Sequence, residues 1–388
     1  MPESASNNGW PRVAFGDVVQ LSRQRSSDPE GDGFDRYVGL EHIEPGDLKI
    51  RRWGHVADGT TFTNVFRSGQ VLFGKRRAYQ RKVAVADFGG VCSGDIYVLE
   101  SKNAHLLPEL LPFICQTDGF FEHAVGTSAG SLSPRTNWNS LQSYEFALPP
   151  LDEQSRLVDI LEATRDLEER AFALVRCLRV ARESWLDDKF PVLAQEWPEK
   201  VASDLMERIT VGIVVKPADL YVSSGQGVPA LRSLNVLPNK VVMEDLVFIS
   251  QEGHAENDKS RLMPGDLVIV RSGRPGDAAV VPADAGELNC IDLIICGPSP
   301  ELDPHFLCAA LNSRFGRQQF AAGTAGTAQK HFNVGAFKQL RIPVPPADIQ
   351  TGIVDALDDF SESISDAEQR LFDVRIFRLA LMQRIFAA

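Results

Sequence analysis

Leu148-Pro149-Pro150-Leu151-Asp152-Glu153-Gln154 is followed 196 positions later by Val344-Pro345-Pro346-Ala347-Asp348-Ile349-Gln350, and each stretch opens a long helical pattern. Proline holds the chain extended, and an aspartate just beyond it can accept hydrogen bonds from the free amides of a first turn. Asp152 and Asp348 are therefore the predicted N-caps. After the first, Leu157, Leu161, Thr164, Leu167/Glu168, Ala171, Leu174, Leu178, Ala181 and Trp185 recur at spacings of three and four, and the helix is expected to stop before Pro191. After the second, Ile353, Leu357, Phe360, Ile364, Ala367, Leu371, Val374, Leu381 and Ile385 do the same, interrupted only near Phe377-Arg378. A helix of about 35 residues is on the order of 50 Å long, and few globular domains bury that length on one narrow face. The expected solution is an antiparallel coiled coil of the two helices, holding two globular parts apart. Charged flanks such as Arg165, Asp166, Glu169, Asp355 and Asp358 suit solvent or the docking of partner subunits.

Outward from these helices the repeat continues. Ser68-Gly69-Gln70-Val71-Leu72-Phe73 corresponds to Pro264-Gly265-Asp266-Leu267-Val268-Ile269, and Val83-Ala84-Val85 to Ala279-Val280-Val281. Ser93-Gly94-Asp95-Ile96 faces Ile291-Asp292-Leu293, and Gly126-Thr127 faces Gly323-Thr324. The offset stays near that of Gly69 to Gly265, but Trp10-Pro11 and Trp197-Pro198 lie closer together, so the insertions differ near the start. Several matches in one order indicate a duplicated unit. Each unit reads as short β-branched runs bounded by Gly, Asp and Pro, with shorter helices near 106–116 and 304–320, and without a regular βαβ alternation. The class expected is α+β. The expected segments are a globular unit over 1–150, a helix over 151–190, a second globular unit over 191–346 and a helix over 347–388.

Forty Lys and Arg against 52 Asp and Glu give a formal charge of −12, while 44% hydrophobic and 24% charged residues are ordinary for a globular chain. No apolar run reaches the roughly 18–20 residues of a membrane helix, and Met1-Pro2-Glu3-Ser4 lacks the features of a signal peptide. The six cysteines form no Cys-x-x-Cys pair, which argues against a zinc site or disulfide scaffold. The expectation is a cytoplasmic, reduced chain. Its acidity argues against whole-surface nucleic-acid binding but leaves room for a local basic face.

The two globular units with Gly-Asp-like turns, Val91-Cys92-Ser93-Gly94-Asp95-Ile96, and above all Pro149-Pro150-Leu151-Asp152-Glu153-Gln154 before a heptad helix resemble the specificity subunit of type I restriction–modification systems, over essentially the whole chain. The second copy departs from the motif, since Asp348-Ile349-Gln350 lacks the Glu. The resemblance implies that each unit is a target-recognition domain reading one half of a bipartite site in double-stranded DNA, with the helices as a spacer that fixes the gap. It also implies a non-catalytic subunit that docks two modification subunits, which methylate adenine with S-adenosylmethionine, and in some complexes ATP- and Mg-dependent restriction subunits. No cofactor is then expected in this chain, and no membrane partner. Geometry points the same way: two similar but non-identical readers on a rigid spacer suit an asymmetric split target.

The clearest candidate for DNA contact is the stretch 67–82, with Arg67, Lys75, Arg76, Arg77, Arg81 and Lys82 around Tyr79 and no acidic residue. Such cations neutralise phosphates, and arginine can also bind guanine through two hydrogen bonds. The equivalent Arg271, Ser272 and Arg274 lie between Asp266 and Asp277, which dilute their charge. The small-residue loops 126–138 and 323–333 bring backbone amides close to phosphates and offer Ser133, Arg135 and Asn137, and Gln329, Lys330 and His331. Asn235, beside Leu234, and His42, beside Glu41, mark another matching turn. A Walker-type phosphate loop, the Asn/Asp-Pro-Pro-aromatic tetrad of amino methyltransferases and zinc-protease or hydrolase motifs are absent. Two other readings compete: an interaction scaffold of the same fold that does not read sequence, and a nuclease with an unrecognised carboxylate site.

Overall fold

The apolar runs Val71–Gly74 and Leu267–Val270 are buried at every position, and each forms an inner strand of a four-stranded antiparallel sheet. In a computed structural model, which describes residues 9–324 and 332–386, the chain divides into two units. The first comprises the described residues up to Ala173 together with those from Ala367 on, and the second is Leu174–Asp366. The sheet order in the first is Val19–Leu21, Ile96–Ser101, Val71–Gly74, Val83–Val85, and in the second Met206–Val211, Leu293–Pro298, Leu267–Val270, Ala278–Val280. Gly69 and Gly265 make the turns before the inner strands at φ 87° and 84°, a conformation that favours glycine.

Each unit has a second sheet built around a parallel pair, Tyr37 opposite Val91 and Ala230 opposite Asn289. This sheet has four strands in the first unit and five in the second, where Tyr221–Val222 is an additional edge strand. That strand lies where the repeat offset widens, which accounts for part of the drift between the two copies. A two-stranded ribbon closes each unit, Arg12–Ala14 with Glu145–Ala147 and Glu199–Val201 with Arg341–Pro343. The α+β class and the duplication expected from the sequence hold in both units. The short helices are more broken than expected: Leu111–Ile114 and Asp118–Gly126 in the first unit, Pro304–Asn312 and Arg314–Thr324 in the second.

The long helices are Leu151–Glu196 and Ala347–Phe386. Each unit buries the start of one against the end of the other, so the pairing is antiparallel. Leu157 and Leu161 share a core with Met382, Ile385 and Phe386, and Leu186, Phe190 and Leu193 share one with Ile353. Two expectations are corrected. The helices begin at Leu151 and Ala347, so Asp152 and Asp348 lie inside the first turn, where they face the positive end of the helix dipole, rather than at the N-cap. The first helix also runs through Pro191. An interior proline costs about 3 kcal/mol. The neighbours Phe190 and Leu193 are fully or nearly fully buried in the second unit's core, and burying two such side chains offsets a loss of that size.

The last residue of each Pro-Pro motif explains its recurrence. Gln154 is wholly buried: its Oε1 accepts from the Leu107 amide at 2.9 Å, and its Nε2 donates to the carbonyls of His105 and Pro149. Gln350 repeats the pattern with the Asp303 amide at 2.8 Å and the carbonyls of Glu301 and Pro345. One amide side chain thus ties the helix start to the loop before the short helices and satisfies backbone groups that burial would otherwise orphan.

Candidate nucleic-acid interface

Strand Val71–Gly74 delivers the basic stretch into a tight turn in which Arg77 and Arg81, at φ 53° and 55°, flank Ala78–Gln80. Left-handed backbone at two non-glycine residues is strained and marks a segment held by its surroundings. Buried Ala78 anchors this turn and leaves Tyr79 56% exposed at its tip. The stretch is stitched to the loop before the closing strand: the Arg77 amide donates to Pro134 O at 2.7 Å, and the Thr136 amide to Lys75 O at 3.0 Å.

Asp95 is the hub. Its carboxylate accepts from Arg76 Nη1 at 3.2 Å and from Arg135 Nε at 2.8 Å. Burial works to raise the Asp95 pKa, but the hydrogen bonds and charges of Arg135 and Arg76 outweigh it and hold the carboxyl below its ordinary range. Ser133 Oγ accepts from Arg76 at 3.0 Å and lies 3.4 Å from Arg77 Nη2. Lys75 lies 4.6 Å over the Tyr97 ring, and burial is the main cause that depresses its pKa. Lys75, Arg76, Arg77, Ser133 and Arg135 therefore form one cluster. The others stand around it with partners of their own. Arg67 donates to Gln24 at 3.0 Å, Lys82 Nζ donates to Leu40 O at 2.6 Å, and Arg81 pairs with Asp118 and stacks over Phe121.

Both asparagines hold turns. Asn137 Oδ1 accepts from the Ser140 amide at 2.9 Å and caps the short helix Trp138–Leu141. Asn235 is 1% exposed; it accepts from the Arg232 amide and donates to the carbonyls of Val242 and Glu244. As a contact reaching a base edge Asn235 is corrected, since its buried amide is committed to a turn; Asn137 spends only its Oδ1 on the cap and is exposed, which leaves its role as a DNA contact a proposal. His42 holds the place of Asn235 in the first unit, with Nδ1 accepting from the Gly39 amide at 3.0 Å. In the second unit Arg271 is 9% exposed, bound to Asp292 at 2.8 Å and to Phe332 O at 3.2 Å, so it braces the loop from inside. Arg274 is half-exposed beside Asp277 and donates to Val236 O, and Ser272 is half-buried next to it. Gln329, Lys330 and His331 lie outside the described residues.

Sequence reasoning missed the acidic partners Asp95 and Asp118, although the first stands in a quoted repeat motif. It also missed a buried ion pair. Arg378, where the seam pattern falters, is 1% exposed and bonds Glu168, itself 4% exposed, at 3.1 Å, the carbonyl of Gly46 and Gln116. Outward apolar positions are a further feature of the helices: Ile160 and Leu167, seven apart on the first, and Phe372 and Phe377 on the second, are about half exposed. Among the described residues no group of three or more His, Cys, Asp or Glu is placed to hold a metal, and no helix is long and apolar enough to cross a membrane. Five of the six cysteines are buried free thiols; burial pushes that of Cys92 up to about 12.

A duplicated α+β unit, closed by a ribbon and carried on paired long helices, defines a class of two-module proteins. The sequence profile of the type I restriction modification DNA specificity domain matches residues 7–171 and 236–372, and the chain belongs to that family. It is 27% identical over 165 residues to the Type I restriction enzyme EcoDI specificity subunit of Escherichia coli, a match spanning 40% of this chain and only 34% of that subunit. It is 21% identical over 381 residues to the MjaVIII specificity subunit of Methanocaldococcus jannaschii, spanning 90% of this chain and 85% of that one. Among solved structures, a chain described under complex assembly and conformational transition of the type I R-M system superposes with a TM-score of 0.63 at 20% identity. It covers 99% of this chain and 98% of its own, a likeness of fold.

Proposed function

We propose that this chain reads DNA for a type I restriction–modification complex: each unit recognises one half of a bipartite, asymmetric site, and the paired helices set the gap and dock adenine-methyltransferase subunits. The observation that carries this reading is the duplication itself, one sheet order built twice with different side chains on corresponding loops. Two readers of one plan with different surfaces suit two different half-sites, whose spacing follows from protein geometry. The cluster of Lys75, Arg76, Arg77, Ser133 and Arg135 is the proposed contact of the first unit, with Arg67, Tyr79, Arg81 and Lys82 beside it. Arg274 and Ser272, together with Gln329, Lys330 and His331, are proposed for the second. The outward apolar residues of the helices suit partner helices. On this reading the chain performs no chemistry: S-adenosylmethionine and any ATP and Mg belong to partner subunits, among them restriction subunits in complexes that cleave, and the setting is the cytoplasm.

Methylation sequencing of a host that expresses this chain with its neighbouring methyltransferase, against the same host with the chain deleted, tests the reading. A split adenine motif that disappears on deletion is expected; an unchanged methylome refutes it. One observation favours a scaffold that does not read DNA, namely that Asp95 and Asp118 neutralise several of the turn's cations. A salt-sensitive complex with duplex DNA eliminates that alternative.

A further inference from the structure

With Arg76 and Arg135 bound to Asp95 and Arg81 to Asp118, part of the basic stretch is neutralised, and further cations without carboxylate partners stand beside it. Strand Val19–Leu21 runs out into Ser22-Arg23-Gln24-Arg25. Arg23 and Arg25 are exposed, and neither guanidinium makes a hydrogen bond or ion pair among the described residues. With Lys75, Tyr97, Thr63 and Asn64 they line a groove of about 520 Å3 that no Asp or Glu lines. Asp95, adjacent in sequence to two lining residues, has both carboxylate oxygens occupied by Arg76 and Arg135. Burial above all depresses the Lys75 ammonium, with the charges of Arg135 and Arg25 adding to it against the pull of Asp95, which places Arg25 within electrostatic reach of Lys75.

Among the described residues the second unit has no cation at the places of Arg23 and Arg25, and Arg271, at the place of Lys75, is 9% exposed. Leu21 pairs with Leu99, and Ile209 with Cys296, at the same register of the repeated sheet. Counting two and four residues on, Arg23 corresponds to Val211 and Arg25 to Ile213, which is 4% exposed. Two exposed cations of the first unit are thus replaced by apolar residues in the second.

We propose that the groove of Arg23, Arg25 and Lys75 seats the phosphate backbone of duplex DNA, and that the first unit therefore carries most of the salt-dependent affinity while the second adds recognition with little charge. The inference rests on the DNA-reading proposal and adds to it a seat and a division of labour. Each phosphate neutralised by a cation releases condensed counterions, which makes the contact visible as salt dependence. The hydroxyl of Thr63 and the amide of Asn64 suit phosphate oxygens, contacts that position a duplex without reading its bases.

Because backbone binding needs no target sequence, the probe is a fluorescein-labelled 30-bp duplex of arbitrary sequence, titrated with the full-length chain between about 50 and 300 mM salt. Arg23→Ala with Arg25→Ala is expected to reduce the slope of log affinity against log salt by about one to two units and to weaken binding about tenfold to a hundredfold near 0.1 M salt. Arg23→Lys with Arg25→Lys keeps the charge and is expected to keep the slope. Both side chains are exposed and unpartnered, so neither replacement threatens the fold. An unchanged slope in the alanine variant overturns the groove while the DNA-reading proposal stands. No binding by the unaltered chain at any salt overturns both.

Discussion

Gln154 makes three hydrogen bonds from a fully buried position, and each spans a junction between the long helix and the chain before it. Gln154→Ala strands the Leu107 amide and two carbonyls and leaves a cavity, which is expected to cost about 2–4 kcal/mol in urea unfolding; an unchanged midpoint contradicts the staple. His42 carries a different signature. Its Nδ1 accepts a backbone hydrogen bond, which requires that nitrogen unprotonated, and burial above all holds its pKa below the ordinary value. A depressed imidazole pKa means the unfolded chain binds the proton more readily. The stability contributed is complete above about pH 6.5 and lost as pH falls below it. His42→Asn, which copies Asn235, is expected to remove that part of the pH dependence; Tm of both proteins from pH 7.5 to 5.5 reads it, and parallel curves contradict it. The asparagines show why residue roles were only partly legible. Asn137 and Asn235 have the chemistry to read adenine, yet that same chemistry caps turns, and only burial and partners separate the two uses. Arg23 and Arg25 meet Lys75 across 50 residues of sequence, a proximity that linear spacing does not reveal.

The long helices were legible because their apolar period is sustained, and the one break in that period is itself informative. Near Phe377-Arg378 the seam gives way to a buried arginine bound to Glu168, with Arg375 on the other oxygen of that carboxylate at 2.6 Å. Removing one member of a buried pair leaves an uncompensated charge, whereas removing both can be close to neutral. Glu168→Met alone, which strands the buried Arg378, is expected to cost about 3–5 kcal/mol, and Arg378→Met with Glu168→Met clearly less. Additive losses in a double-mutant cycle would show that the two do not act as a pair. The corresponding joints of the two units differ in sign. In the first, Asp118 receives Arg81 and Gln383; in the second, Arg314 and Arg317 stand in that region, the Arg314 amide donating to Asp187 and the Arg317 side chain to Asp277. The passage of the first helix through Pro191 was not legible, because local propensity forbids what burial of Phe190 and Leu193 permits.

For the whole molecule, the repeat was the most legible feature, since several short motifs in one order at nearly one offset outweigh any single motif. The second sheet was less so: its strands are two to four residues long and its parallel pair joins segments more than fifty residues apart. If the helices are the ruler of the complex, deleting one heptad from each shortens the spacer by roughly 10 Å, about three base pairs. The methylated motif is then expected to keep both half-sites and change its gap; loss of either half-site with the gap unchanged contradicts the ruler. The central claim is that each unit reads its own half. Its most direct test replaces Glu199–Pro343, the segment bounded by the closing ribbon of the second unit, with the corresponding segment of another family member, and maps methylated adenines in a host carrying the chimera and its methyltransferase. The account predicts that one half-site and the gap are retained while the other half-site is exchanged. A motif that changes in both halves, or in neither, contradicts it.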